Sequence, residues 1–193
     1  TLAAAGTTTL NTAVTVDRFT LAGVQAGLNI TSTSSLTSLM DVTQMIGTLN
    51  VDGVLSAPSD FLIMTGGLSG TGQINAPFTT SVTGVIAPGT ATTVGTLTFN
   101  GNLILASGTS YIVNLANGTS DHIAVNQVDG ENGIANVGGS LSLRFTNALR
   151  ASQTFTILTA EGEVTGAFAD PSAISAILTP TLSYTENSVE LTF

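Results

Sequence analysis

Apolar and polar residues alternate along most of this chain, which is the pattern of strands with one buried and one exposed face. Residues 97–101 show the alternation, and it recurs at residues 141–145 and 189–193. Pairs that favour tight turns, such as Asn100-Gly101, separate these runs. No segment carries a long helical stripe, and the best candidate, residues 170–178, is predicted to be a loop with at most one turn of helix. The chain is therefore predicted to be all-β.

The composition requires a folded core beneath a neutral surface. Hydrophobic residues make up 42% of the 193 residues and charged residues only 8%, against about 25% charged in ordinary globular proteins. Disordered chains combine low hydrophobicity with high net charge, so this chain does not belong to that class. Its surface is predicted to carry threonine, serine, asparagine and glycine, and burial of aliphatic side chains is expected to decide its stability.

The charge excludes two classes of partner. The formal net charge is −9, there is no lysine, and the cations are Arg18, Arg144 and Arg150. Nucleic acids and anionic lipids are bound by clusters of lysine and arginine, which three scattered arginines cannot form. The chain has no cysteine and no apolar stretch close to the ~20 residues of a membrane helix. Neither a disulfide framework nor membrane insertion of this segment is expected.

An internal repeat favours a solenoid among the all-β architectures. Gly47-Thr-Leu-Asn-Val-Asp-Gly-Val-Leu55 matches Gly95-Thr-Leu-Thr-Phe-Asn-Gly-Asn-Leu103 at its Gly, Thr, Leu, Gly and Leu positions. The offset of 48 residues predicts two coils of about 20 to 25 residues each. An Asn-Gly pair can reverse a hairpin in a sandwich or form the corner between two strands of one coil, and the residues alone leave both uses open.

Short motifs follow one another in a specific order from Gly84 onward. They are Gly84-Val-Ile-Ala-Pro-Gly89, the Gly95 to Leu103 segment, Tyr111-Ile-Val-Asn-Leu115, Ser120-Asp-His-Ile-Ala-Val125, Gly138-Gly-Ser-Leu-Ser-Leu143, Phe155-Thr-Ile-Leu-Thr-Ala160, Leu178-Thr-Pro-Thr-Leu-Ser-Tyr184 and Asn187-Ser-Val-Glu-Leu191. Their order and spacing resemble the C-terminal passenger region of bacterial autotransporters, the proteins of type V secretion. The resemblance covers somewhat more than half of the chain, and residues 47–74 more loosely.

The resemblance implies a right-handed parallel β-helix, a pectate-lyase-like solenoid, with a C-terminal hairpin cap. Residues 1–110 would be coils of the passenger and residues 111–193 the last coils with an autochaperone-like cap, in one continuous solenoid. The cap candidate is residues 182–193, turning at Glu186-Asn187. Asp121 is expected to accept backbone N–H bonds at the start of a strand. The residues expected at turns and in the cap are Pro88, Gly89, Gly95, Gly101, Asp121, Gly138, Gly139, Pro180, Tyr184 and Asn187.

The same resemblance implies a non-enzymatic fragment that is secreted and displayed at the bacterial cell surface, in association with the outer membrane. It would be a structural or adhesive stalk, of the kind found in adhesins and virulence factors, whose C-terminal part seeds passenger folding. The expected partners are a cognate translocator β-barrel, absent from this chain, and a host surface or a second copy of the chain.

Two alternatives stay open. The first is a self-assembling extracellular fibre or cell-cell aggregation subunit, since neutral faces allow close approach. The second, less favoured, is a β-helical polysaccharide-degrading enzyme. Fold alone does not transfer such a function, and lyases of uronate polymers need cations that this acidic chain lacks.

No residues form a convincing catalytic, cofactor or metal site. His122 is the single histidine, and its serine and aspartate neighbours lie too close in sequence to complete a triad from one strand. Ser69 lacks the glycine two residues after the serine that a nucleophile elbow requires. Asp129, Glu131 and Asn132 lack the alternating spacing of a calcium loop. The chain is therefore predicted to be no enzyme and to need no cofactor or metal.

Overall fold

The computed structural model of the protein describes residues 1–116, 118–128, 130–145, 152–172 and 179–193. These residues form strands, turns and irregular segments, and there is no helix among them. Consequently, none of the described elements has the length and hydrophobicity of a membrane-spanning helix. Of the predicted loop at 170–178, residues 170–172 are irregular and residues 173–178 lie outside the described chain.

The chain winds through three faces in turn, and each face is a stack of strands from successive coils. In the first face each strand pairs in parallel with the strand of the next coil. Its strands are β1 (Gly6–Leu10), β4 (Ala26–Ile30), β7 (Thr48–Val51), β10 (Gly67–Gly70), β12 (Val85–Pro88), β14 (Ser110–Ala116) and β18 (Ser140–Phe145). The short β15 (Thr119–Ser120) pairs antiparallel with the end of β14.

The second and third faces are built in the same way. The second contains β2 (Ala13–Val16), β5 (Ser35–Ser38), β8 (Val54–Ser56), β11 (Gln73–Ser81), β13 (Thr96–Leu105), β16 (His122–Asn126) and β19 (Thr154–Ala160). The third contains β3 (Phe19–Leu21), β6 (Val42–Gln44), β9 (Phe61–Ile63), the C-terminal halves of β11 and β13, β17 (Ala135–Val137) and β20 (Val164–Gly166). β11 and β13 belong to both faces because each turns the corner without ending, and their pairing shifts register between Asn75 and Phe78.

This succession of faces with parallel pairing between coils is a parallel β-helix, so the predicted fold class is confirmed. β12 pairs with β14 at residues 110 and 111, and β13 pairs with β16 across this boundary, so the stack continues through it. Parallel crossover connections are right-handed in about 98% of cases, which supports the right-handed sense expected here. The hand itself stays a prediction.

Inward side chains form rows along the axis, because parallel pairing places residues of successive coils above one another. The row of the first face is Leu28, Leu49, Leu68, Ile86, Tyr111 and Leu141. The row of the second face is Leu36, Leu55, Ile74, Phe99 and Val125. All these residues are buried, and each large aliphatic side chain contributes about 1.5 to 3 kcal/mol when fully buried.

The third face departs from the expected aliphatic interior, because buried polar side chains lie in its stack. Nε2 of Gln44 donates to the carbonyl oxygens of Gly47 at 3.1 Å and Gly67 at 2.9 Å. The hydroxyl of Thr109 donates to the carbonyl oxygen of Ser81 at 2.8 Å. Buried donors are tolerated when they are hydrogen-bonded, and here both side chains donate to backbone oxygens at the corners or in the neighbouring coil.

The 48-residue repeat does not mark two coils. Thr48 in β7 lies two coils before Val85 in β12, whereas Thr96, its counterpart in the repeat, lies on the second face. The first matching segment crosses the corner Asp52-Gly53 between the first and second faces, and the other crosses Asn100-Gly101 between the second and third. The prediction was wrong because a strand that runs into a glycine corner has the same residue pattern at both kinds of corner. The pattern therefore does not show which two faces the corner joins.

An antiparallel hairpin closes the C-terminal end of the second face. β21 (Thr181–Tyr184) pairs with β22 (Ser188–Thr192), and β22 pairs antiparallel with β19. The rings of Phe155 and Phe193 meet edge to face over this end of the stack, with centroids 6.1 Å apart. The predicted hairpin cap is therefore confirmed, with its turn at residues 185–187.

The opposite end of the first face is an open edge. β1 pairs with β4, and no described strand pairs with its other side. Its residues are exposed except for the half-buried Leu10. Leu2 forms a parallel bridge with Leu21 on the third face, so the residues before β1 already continue the stack.

We expect Gly101→Ala to lower the free energy of unfolding by more than Gly6→Ala does. Gly101 has a φ of +130°, and a Cβ there would overlap the carbonyl oxygen of Ala76. Gly6 has a φ of +112° but a Cβ there meets no atom within 4 Å. Gly6→Ala therefore carries only the backbone strain, about 1–3 kcal/mol. Urea denaturation of both variants measures the difference, and equal losses would contradict the close packing of this corner.

Candidate functional site

The residues predicted at turns and in the cap lie in several places of the C-terminal half. The first group, around the start of β13 and β16, is Pro88, Gly89, Gly95 and Asp121. Gly138 and Gly139 form the corner before β18, and Pro180, Tyr184 and Asn187 belong to the hairpin. Gly101 stands apart at the corner within β13. The structure thus brings together the first group and the hairpin group but does not join them into one site.

Asp121 is a fully buried carboxylate immediately before β16, and three N–H groups donate to it. The N–H of Gly95 lies 2.9 Å from Oδ1, and the backbone and side-chain N–H groups of Asn114 lie 2.9 and 2.7 Å from Oδ2. Burial raises the pKa of Asp121, while the bonds from Asn114 and Gly95 and the charge of Arg144 act in the opposite direction. The carboxylate therefore fastens β14 to the start of β13 in the preceding coil.

Tyr111 crosses the interior from the first face to the second. Its hydroxyl donates to the carbonyl oxygen of Ile157 in β19 at 2.7 Å, and its ring lies 5.9 Å from that of Phe168 between centroids. Burial raises the pKa of Tyr111 well above its ordinary value, and the charge of Asp121 raises it further. The hydroxyl is therefore a protonated donor at neutral pH, and it joins β14 to the strand on which the cap is paired.

Side chains of the hairpin fasten it to the last coil. Nδ2 of Asn187 donates to the carbonyl oxygens of Ala160, at 3.1 Å, and of Gly162. The hydroxyl of Tyr184 accepts the N–H of Phe168 at 3.0 Å, and burial raises the pKa of Tyr184 against the opposing effect of this bond. The cap is thus held by its backbone pairing and by two side chains at and beside its turn.

A groove of about 680 Å³ runs along the axis at the corner between the second and third faces. Its floor contains the half-buried polar residues Thr37, Ser56, Asn75 and Asn100. Nδ2 of Asn75 donates to Oγ of Ser56 at 3.1 Å, and Nδ2 of Asn100 donates to Oδ1 of Asn75 at 2.6 Å. Asn126 donates to Oδ1 of Asn100 at 3.0 Å. We call the row Ser56, Asn75, Asn100 and Asn126 the amide ladder.

Small and apolar residues form a wall of the groove. Ala57 and Ala76 are buried where the chain turns from the second face to the third, and Pro58 and Pro77 follow them closer to the surface. Leu39, 58% exposed, extends the wall toward the preceding coil. The groove exists because the residues at this corner are small.

Ser38, Val128 and Glu131 complete the lining of the groove. The N–H of Glu131 donates to the carbonyl oxygen of Val128 at 2.9 Å, and its carboxylate accepts a bond from Nδ2 of Asn102. Oδ1 of Asn102 accepts the N–H of Ile134 at 3.0 Å. Glu131 is the single charged residue among the described residues of the lining, so the groove is close to neutral.

The sequence interpretation overlooked this groove, although a signal for it exists. Ser56-Ala-Pro58 and Asn75-Ala-Pro77 repeat the order polar, small, proline. Asn75 and Ser56 are 19 residues apart and bonded, so the two motifs stack in adjacent coils. Asn100-Gly101 repeats the polar and small positions in the next coil. The signal becomes visible only once the register of the coils is known.

The other candidate residues make local contacts on separate faces. Nε2 of His122, on the second face, lies 3.1 Å from Oγ1 of Thr159, and burial lowers the pKa of His122. Ser69, on the first face, donates to Oδ1 of Asn50 at 3.0 Å. Of the calcium candidate, Asp129 lies outside the described residues. Within the described residues no three histidine, cysteine, aspartate or glutamate side chains group to hold a metal ion.

Neither a protein-family model nor a curated protein sequence matches this chain. The resemblance to autotransporter passengers therefore stays an expectation from the sequence motifs. The fold, the cap contacts and the groove are the observations on which a functional assignment can be built.

We expect Asp121→Asn to lower the free energy of unfolding by about 1–3 kcal/mol, because an amide cannot accept all three N–H bonds. The pKa of Asp121 is raised on folding, so the folded state holds the proton more tightly than the unfolded state. The contribution of Asp121 to the free energy of unfolding is therefore fully present below its ordinary pKa of 3.8. It decreases as the pH rises from that value to the raised pKa of the folded state.

The variant does not titrate in this window, so the advantage of the native chain over Asp121→Asn should shrink as the pH rises. Urea denaturation of both chains across the acid range measures this advantage. If the difference in the free energy of unfolding between the two chains is the same at every pH, burial of Asp121 does not raise its pKa.

Proposed function

We propose that this chain is a non-enzymatic rod of a secreted autotransporter passenger, in which the C-terminal hairpin seeds the folding of the coils before it. The observation that carries the proposal is the antiparallel pairing of β22 with β19. This pairing gives the last coil a preformed partner on one side, and β19 can then present its other edge to β16. In a stack made only of parallel coils, the first coil to form has no neighbouring strand with which to pair.

The hairpin can form early because its own contacts are local. β21 and β22 are joined by residues 185–187, and hairpins form in about 1–10 μs. Parallel pairs join more distant residues: 19 residues separate Asn50 from Ser69, and 26 separate Asn100 from Asn126. Each such pair loses loop-closure entropy before its contacts form. The short contact distance within the hairpin therefore favours its formation before the parallel coils.

Docking of β19 on the hairpin requires one long closure, with 38 residues between Thr154 and Thr192. Burial favours this step. Leu158, Val189 and Leu191 are 0% exposed, and burial of apolar surface is the dominant favourable contribution to folding. This burial suits the cap to act as the seed of folding.

The outer faces suit a stalk displayed outside the cell. On the first face, Nδ2 of Asn50 donates to Oδ1 of Asn29 at 2.8 Å, and Ser69 continues the row. Neutral bonds of this kind are not screened by salt as exposed ion pairs are. Adhesion to a host surface and attachment to a translocator β-barrel beyond the cap complete the proposal.

We expect Leu191→Ala in β22 to slow refolding more than Leu68→Ala in β10. Both leucines are 0% exposed, so each truncation should destabilise the protein by about 2–5 kcal/mol. If the cap forms in the transition state, Leu191→Ala lowers the folding rate, whereas Leu68→Ala mainly raises the unfolding rate. Stopped-flow refolding and unfolding in urea separate the two effects. If Leu191→Ala mainly raises the unfolding rate and Leu68→Ala lowers the folding rate, the hairpin is not the seed.

A further inference from the structure

The amide ladder keeps hydrogen-bonding capacity that the fold does not use. An asparagine side chain has two N–H donors and two acceptor positions. Asn75 uses one donor toward Ser56 and one acceptor position for Asn100, which in turn accepts from Asn126. The other N–H of Asn100 faces Oε1 of Gln73 at 3.4 Å, longer than an ordinary bond. Donors and acceptors therefore remain along the groove floor, repeated at a coil spacing of about 4.8 Å.

The groove wall differs in chemistry from this floor. Pro58, Pro77 and Leu39 present apolar surface beside the ladder. A pyranose ring has the matching distribution, with hydroxyl groups on its edge and C–H groups on its faces. Each hydroxyl both donates and accepts, as each ladder amide does. A volume of about 680 Å³ falls within the range of about 300–1,000 Å³ typical of ligand sites.

The charge of the groove disfavours ionic ligands. The described lining contains no lysine or arginine that could bind a phosphate, sulfate or uronate group. Its single carboxylate, on Glu131, already accepts a bond from Asn102. A cationic ligand would thus meet one engaged carboxylate and otherwise neutral groups. The complementary ligand is neutral and carries many hydroxyl groups.

A peptide strand would find no backbone partner on the groove floor. β8 pairs with β5 and β11, and β13 pairs with β11 and β16. Both edges of the floor strands are therefore engaged within the coil stack. Recognition of an extended peptide by strand addition needs a free edge, which the groove does not provide.

From these observations we infer that the groove is a binding site for a neutral polysaccharide segment lying along the axis of the β-helix. Its hydroxyl groups bond to Asn75 and Asn100, and its ring faces rest on Pro58 and Pro77. The site is independent of the folding role of the cap, and it goes beyond the proposed function by giving the rod a ligand class of its own.

The test is affinity electrophoresis of the full chain in native gels that contain a soluble neutral polysaccharide. Dextran, a β-glucan, a galactomannan and a xylan serve as probes, and polygalacturonate serves as the anionic comparison. We expect at least one neutral polymer to retard the chain, with an affinity that does not change when salt is raised. Polygalacturonate should leave the mobility unchanged.

Variants locate the binding in the groove. Asn75→Leu and Asn100→Leu remove a ladder amide at similar volume, and each should weaken binding by about tenfold, the loss expected for one or two hydrogen bonds. Pro58→Asp alters the wall and leaves the ladder intact, and it should weaken binding as well. Asn29→Leu is the matched control, since it removes an amide from the row on the first face. It should bind as the native chain does.

Several outcomes would overturn the inference. They are the absence of retardation by any neutral polymer, full affinity in both Asn75→Leu and Asn100→Leu, and an equal loss in Asn29→Leu. Dimerisation that the groove variants abolish would assign the groove to a second copy of the chain instead. The refolding rate of the Leu191→Ala variant does not depend on polysaccharide binding. Failure of the glycan site and failure of the seeding role are therefore distinguishable.

Discussion

Parallel pairing between the strands of successive coils is the constraint on which the rest of the molecule depends. It places Leu28, Leu49 and Leu68 in one buried row. The next residue of each strand belongs to the outward row of Asn29, Asn50 and Ser69. Core and surface are thus set by one register, and a slip of one residue would exchange them. The interior leucines and the exterior amides stabilise the same alignment from opposite sides.

The cap and the buried polar groups act on this alignment where it is weakest. A parallel stack has an exposed edge at each end, and the hairpin covers one of them by antiparallel pairing with β19. Asp121 and Tyr111 lie one coil away and connect β14 to the start of β13 and to β19. The C-terminal coils are therefore joined across faces as well as along them. This combination supports a seeding role more strongly than the hairpin does alone.

Local pattern was enough to predict the strands and the hairpin. Alternation at residues 189–193 and a turn signal at Glu186-Asn187 lie within the segment that forms the cap, so no distant residue is needed to interpret them. The phase of the coils could not be read in this way. Coil length varies, and glycine corners such as Gly53 and Gly101 look alike in sequence although they join different faces. The buried Gln44 was equally hidden, because its partners are backbone oxygens.

In the candidate site, too, local features could be predicted and contacts between coils could not. The resemblance implied that Asp121 lies at the start of a strand, where a carboxylate can accept backbone N–H bonds. Its donors are 7 and 26 residues away in sequence, at Asn114 and Gly95, and only the coil register brings them to the carboxylate. The amide ladder is a stronger case. Asn75 and Asn100 each resemble an ordinary surface residue, and they become a row through stacking alone.

Unequal coil length has a consequence for how such a protein can change. The second and third faces meet within β13 without intervening residues, whereas residues 127–134 separate β16 from β17 at the same corner one coil later. The strands on either side remain stacked in both coils. The added residues thus leave the pairing of the flanking strands, and the length of the stack along its axis, unchanged. Insertions at such a corner can therefore change the surface of the stack at one height without changing the pairing above and below it.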